Sequence, residues 1–98
     1  MDRDRAIAIL ASHADEIRAR GVASLALFGS VARGEERPES DVDILIDLVP
    51  DSRVSLFDVM DLQDRLGDLL AARVDLVTRG GLHPDLRDDI LGDAIRVF

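Results

Sequence analysis

Apolar and polar positions alternate along the chain in three distinct rhythms. In the first twenty residues Ile7, Leu10, Ala14 and Ile17 recur at three- and four-residue spacing, which predicts an amphipathic helix over residues 2 to 20. Gly21 closes it, after Arg18 and Arg20, cations suited to a helix C-terminus. VASLALF (22–28) is a short apolar run halted at Gly29 and predicts a buried strand. Residues 29–40 read as a polar connection with two glycines and Pro38, in which Val31-Ala32-Arg33 is a candidate helical turn. VDILIDL (42–48) predicts a second strand, stopped by Pro50. From Ser55 to Ala72 the period returns to 3.6: Leu56, Val59, Met60, Leu66 and Leu70 make a core stripe in which Gln63 is the polar break. RVDLVT (73–78) predicts a third strand, and Gly80-Gly81 a turn. Pro84 stands at a first helical position and opens a helix over 84–93, and IRVF (95–98) is a candidate terminal strand. The order α-β-β-α-β-α predicts an α/β (α+β) fold: a mixed sheet with helices on one face and the other face open for a site.

Composition narrows the classes of function. Ninety-eight residues predict one domain over 1–98, and 47% hydrophobic residues suffice for its core. Aromatics are only 3%, with no Trp or Tyr, so that core is built from Leu, Ile, Val and Ala. No apolar run approaches the length of a membrane span. MDRDRAIAIL lacks the apolar region and cleavage signal of a secretory leader, and the chain has no cysteine. A cytoplasmic location without disulfides or thiolate metal sites is the expectation. The net charge is −8, and all twelve basic residues are Arg. Such a chain is poorly suited to hold nucleic acid directly, because affinity for phosphates comes from clustered cations. It suits a divalent metal or a basic protein.

The carboxylates and glycines then supply candidate chemistry. Residues i and i+2 of a strand share a face, so Asp41 and Asp43 project together while Val42, Ile44 and Ile46 point to the core. Two carboxylates side by side repel unless a proton or cation lies between them. Asp75 in the third strand reaches the same point if that strand lies beside the second, and three converging carboxylates suit a one- or two-metal phosphoryl-transfer site. Gly29-Ser30 follows a strand and precedes a helical turn, an arrangement whose N–H groups and hydroxyl accept an anion. Arg33, one helical turn later, is placed to reach the same phosphates. Taken singly, each feature has a plainer reading: Asp-x-Asp at a strand start is commonly solvated, and Gly-Ser after a strand is commonly just a turn. Gly34 then simply ends the short helix, and Ser40 caps the turn before Asp41.

Together these residues form GS-x-x-RG-x-x-x-x-x-SD-x-D, from Gly29 to Asp43. With residue frequencies of about 6%, a chance match at these seven positions is on the order of 10⁻⁸ to 10⁻⁹ per start position. The pattern resembles the signature of the DNA polymerase beta-like nucleotidyltransferase superfamily. In this form it resembles the minimal nucleotidyltransferases (MNT), which pair with HEPN-domain proteins in prokaryotic toxin–antitoxin systems. The resemblance runs over nearly the whole chain, with Asp75 as the third carboxylate and HPDLRDDILGDAIRVF as the ending. It implies the nucleotidyltransferase fold, Mg²⁺ and a nucleoside triphosphate, ATP above all. By the same resemblance Asp41, Asp43 and Asp75 are the catalytic and metal-binding residues, and Gly29, Ser30, Arg33, Gly34 and Ser40 line the nucleotide.

Larger members of that superfamily carry a second domain for the acceptor, and no such domain is read here. The resemblance therefore implies an antitoxin that adenylylates a tyrosine of a HEPN RNase toxin in a hetero-oligomer. Two alternatives stand beside it: an antitoxin that acts by binding alone, and a stand-alone enzyme for a small molecule such as an aminoglycoside. The remaining polar residues read as structural. His13 and His83 lack ligand spacing, Asp47 reads as solvent-facing, and EERPES (35–40) reads as a mobile loop.

Overall fold

The computed structural model describes residues 2–35 and 41–98. Four strands, β1 (Val22–Phe28), β2 (Val42–Leu48), β3 (Val74–Thr78) and β4 (Ile95–Arg96), form one mixed sheet in the order β3-β2-β1-β4. β2 and β3 run parallel, because the chain between them crosses over through a helix; β1 is antiparallel to both of its neighbours. The helices are α1 (Arg3–Ser12), α2 (Ala14–Arg18), α3 (Gly29–Arg33), α4 (Leu56–Leu70) and α5 (Pro84–Asp93). Among the described residues no helix is long and apolar enough to cross a membrane.

The core follows from the alternation in the strands. Val42, Ile44 and Ile46 of β2 face Ala6 and Leu10 of α1, Ile17 of α2, and Leu62, Leu66 and Leu70 of α4 in one cluster. Leu25 and Leu27 join it from β1; a register irregularity between Val22 and Ser24 lets Val22 join too, three residues from Leu25. The opposite face carries Phe28, Asp43 and Asp75 in neighbouring register.

The first helix is not continuous to residue 20. It breaks at His13, whose backbone leaves helical geometry (φ −107°, ψ 16°) after the Ser12 hydroxyl donates to the Ile9 carbonyl (2.7 Å). A serine hydroxyl bonded back into its own helix competes with the main-chain ladder. The core contacts survive the break, and Leu10 and Ile17 are both fully buried. The connection after β1 is likewise partly helical, since α3 occupies Gly29–Arg33.

The stripe on α4 is core only in its later turns. Leu56 and Phe57 are 73% and 75% exposed and Met60 is 54% exposed, whereas Leu62, Leu66 and Leu70 are buried. The reason is phase: Leu62, Leu66 and Leu70 lie on the side of α4 turned to the sheet, whereas Phe57 and Met60 share the outward side with Asp61, Asp64 and Asp68, and Leu56 lies at its edge. Ser55 and Asp58 close that turn with a reciprocal capping box. Gln63 is polar because its Oε1 accepts the Leu76 N–H of β3 (3.1 Å). Arg65 binds Glu16 through two bonds of 2.9 Å and fastens α4 to α2. Leu66→Ala is expected to cost ~2–5 kcal/mol in urea denaturation, and Leu56→Ala to stay within ~0.5 kcal/mol.

Candidate active site

β1 ends by delivering a glycine at a position where any side chain would be strained. Phe28 is still extended, and Gly29 turns to φ +73° to begin α3. A Cβ at Gly29 would run into the carboxylate of Asp43. Both the positive φ and this close approach demand glycine. The first N–H groups of a helix lack partners within it, so the turn at Gly29-Ser30 presents donors at the strand end. Gly34, also at φ +73°, closes α3, and the Glu35 N–H returns to the Ser30 carbonyl (2.9 Å). Ser40 lies outside the described residues.

The carboxylates are assembled by register. Phe28 pairs with Asp43 across β1 and β2, and Asp43 pairs with Asp75 across β2 and β3. Parallel neighbours lie ~4.8 Å apart and residues in register share a face, so Asp43 and Asp75 stand side by side. Asp41, just before β2, is in phase with Asp43; Arg73 Nε approaches its Oδ1 at 3.9 Å. Burial raises the Asp43 carboxyl above its ordinary value, the charges of Asp75 and Asp41 push it further up, and Arg33 partly opposes them. Among the described residues, no group of three His, Asp or Glu side chains is gathered closely enough to hold a metal ion as it stands. The donor set nonetheless fits a hard divalent cation: all its atoms are carboxylate oxygens, and their mutual repulsion is what such a cation relieves.

Other charged residues have partners that the sequence did not disclose. Arg33 is engaged by two carboxylates, through Nε to Glu35 Oε2 (3.0 Å) and through Nη1 to Asp93 Oδ2 (2.8 Å). Those bonds hold its guanidinium charged and tie α3 to the end of α5. Asp47 is not merely solvent-facing: its Oδ2 receives Arg79 Nε at 2.9 Å. His83 caps α5, its Nδ1 accepting the Asp85 N–H (3.2 Å), and His13 lies 3.8 Å from Glu16. Asp93 stands sixty residues from Arg33, and no local spacing signals that pair.

A glycine turn set against paired carboxylates at the end of a sheet is the geometry of nucleotidyl transfer, and residues 10–97 match the nucleotidyltransferase domain. The chain belongs to that family. It is therefore a nucleotidyltransferase, an enzyme of the transferase class. Protein adenylyltransferase MntA of Thermococcus cleftensis is 39% identical over 90 residues, covering 91% of this chain and 89% of that protein. A solved structure provisionally described as a minimal nucleotidyltransferase is also 39% identical, with a TM-score of 0.74 over 97% of this chain and 95% of the other. The same fold, at lower identity, occurs in the MNT antitoxin complexed with a tri-AMPylated HEPN toxin of Shewanella oneidensis (17% identity, TM-score 0.68, 94% of this chain and 71% of that one). It occurs as well in a toxin–antitoxin structure with AMP-PNP (20% identity, TM-score 0.73, 100% and 73%).

Two outcomes follow for this site. Gly29→Ala is expected to lower the melting temperature, and Gly34→Ala, where nothing lies within 4 Å of the added methyl, to lower it less. A carboxyl raised by folding lends stability below its unfolded-state value and loses it as pH rises through the folded-state value. Asp43→Asn, which never ionises, is thus expected to melt above the wild type in metal-free buffer, by a margin that widens between pH 4 and pH 7. Melting curves across that range check it.

Proposed function

We propose that this nucleotidyltransferase moves AMP from ATP to a tyrosine hydroxyl of a HEPN-domain RNase toxin and so acts as its antitoxin. The observation that carries this reading is the register pair Asp43–Asp75 set against the Gly29-Ser30 turn. That arrangement occurs in a chain covering 89% of a relative named protein adenylyltransferase. The toxin complexes that share the fold support the choice of acceptor.

In this mechanism the N–H groups at Gly29-Ser30 and the Ser30 hydroxyl bind the outer phosphates of ATP. Arg33 leaves its carboxylate partners to join them, and Gly34 and Ser40 shape the turn on either side. Asp41, Asp43 and Asp75 would hold Mg²⁺, which when bound neutralises phosphate charge. Asp75, the most exposed of the three, takes the proton from the tyrosine hydroxyl. The phenolic oxygen forms a bond to the α-phosphorus in line as the bond to the β-phosphate oxygen breaks, and pyrophosphate departs. The rate comes from positioning and from charge compensation on a partly desolvated sheet face. The acidic chain complements a basic RNase, which supplies the acceptor surface in a hetero-oligomer. The reaction is placed by this proposal in the cytoplasm, where ATP and Mg²⁺ are at hand, with no direct contact to nucleic acid required.

Incubating the domain with a HEPN-domain toxin, ATP and Mg²⁺ is expected to add discrete adenylyl masses to the toxin, mapped to tyrosine by fragmentation. Chelation with EDTA is expected to stop the reaction, and Asp41→Ala with Asp43→Ala to slow it by ~10³-fold or more. Absence of any mass gain in a mixture where the proteins pair would refute the catalytic reading. Neutralisation of the toxin by the double variant at equal abundance would replace catalysis with masking.

A further inference from the structure

The first turn of α4 exposes three large apolar side chains together. Leu56 and Met60 are one turn apart, as are Phe57 and Met60, so the three form one patch rather than scattered contacts. Contiguous apolar surface of this kind on a small domain marks an interaction site. The same exposed face continues as Asp61, Asp64 and Asp68, each within one turn of the last. Among the described residues none of these three carboxylates has an ion-pair partner. Arg65, the cation nearest in sequence, is turned to Glu16.

Resting on the partner assignment above, we propose that this stripe is the docking surface for the basic partner protein. It would take a segment of that protein in which apolar side chains are followed by lysine or arginine. The apolar end at Leu56, Phe57 and Met60 supplies the buried anchor, and the acidic end fixes direction and selects a cationic neighbour. A second copy of this chain is a poor occupant, because the two acidic stripes would face each other on chains of net charge −8.

The position of the stripe gives it a separate role from the active site. α4 starts where β2 ends, whereas Asp43 lies at the opposite end of β2, five residues before Leu48 and therefore ~16 Å away along the strand. A partner gripped at the first turn of α4 leaves the sheet face at Asp43 and Asp75 open. Docking and transfer are thereby divided between two ends of the sheet, and the acceptor hydroxyl reacts as part of a tethered substrate.

The test titrates the HEPN-domain toxin against four forms of the domain by calorimetry: wild type, Leu56→Ser/Phe57→Ser/Met60→Ser, Asp61→Arg/Asp64→Arg, and Asp41→Ala/Asp43→Ala. Circular dichroism verifies folding, and ATP binding is measured separately. The serine and arginine variants are expected to weaken toxin binding by ~10-fold or more with ATP binding unchanged, and the alanine variant to bind toxin as the wild type does. Toxin binding by the serine variant at wild-type strength would overturn the docking surface, as would a wild-type homodimer that the serine variant dissolves. A wild type that does not bind the toxin overturns both proposals. Patch-dependent binding without adenylylation would leave the docking surface standing while the catalytic reading falls.

Discussion

Parallel pairing of β2 with β3 is the constraint on which the rest of the site depends. It sets Asp43 beside Asp75, and folding must therefore bring together two like charges and partly bury one of them. The hydrophobic side of the same strands supplies the compensation: Val42, Ile44 and Val74 are buried in the core cluster by the same register that aligns the acids. A slip of one residue would turn every one of these side chains to the wrong face. The core thus fixes the geometry of the candidate site, and an unfavourable electrostatic arrangement is held by apolar packing behind it.

Much of this was legible in the sequence. β1 and β2 have the bounds that their apolar runs predict, and α5 spans its predicted range, because each is bracketed by a glycine, a proline or an abrupt change of polarity. Asp41 and Asp43 could be placed on one face in advance because strand alternation is a strict geometric rule, Gly29 stood out as a turn after an apolar run, and Asp75 depended on β3 lying beside β2, which it does. The demand for glycine at position 29 has a cause visible only in three dimensions, namely the Asp43 carboxylate against it. The misread features are those set by distant contacts. The side of α4 that meets the sheet decided which of its apolar residues are buried, and Leu56 and Met60 fall outside it although they recur at helical spacing. Asp93 on Arg33 and Arg79 on Asp47 join elements whose proximity only the tertiary fold provides.

The engagement of Arg33 recasts the phosphate turn. A guanidinium expected to face anions is held between Glu35 and Asp93, so α3 is linked to α5. Under the proposed mechanism a triphosphate that recruits Arg33 competes with these two carboxylates for its guanidinium.

Gln63 carries a consequence of a different kind. β3 is one of the two outer strands of the sheet, and an outer strand offers its unpaired amides to any extended chain that meets it. By accepting the Leu76 N–H, the Gln63 side chain occupies one of those docking points from within the molecule. A foreign strand that tried to extend the sheet would find that donor already engaged. One amide in the middle of an otherwise apolar helical stripe thus helps keep this small sheet from growing by self-association.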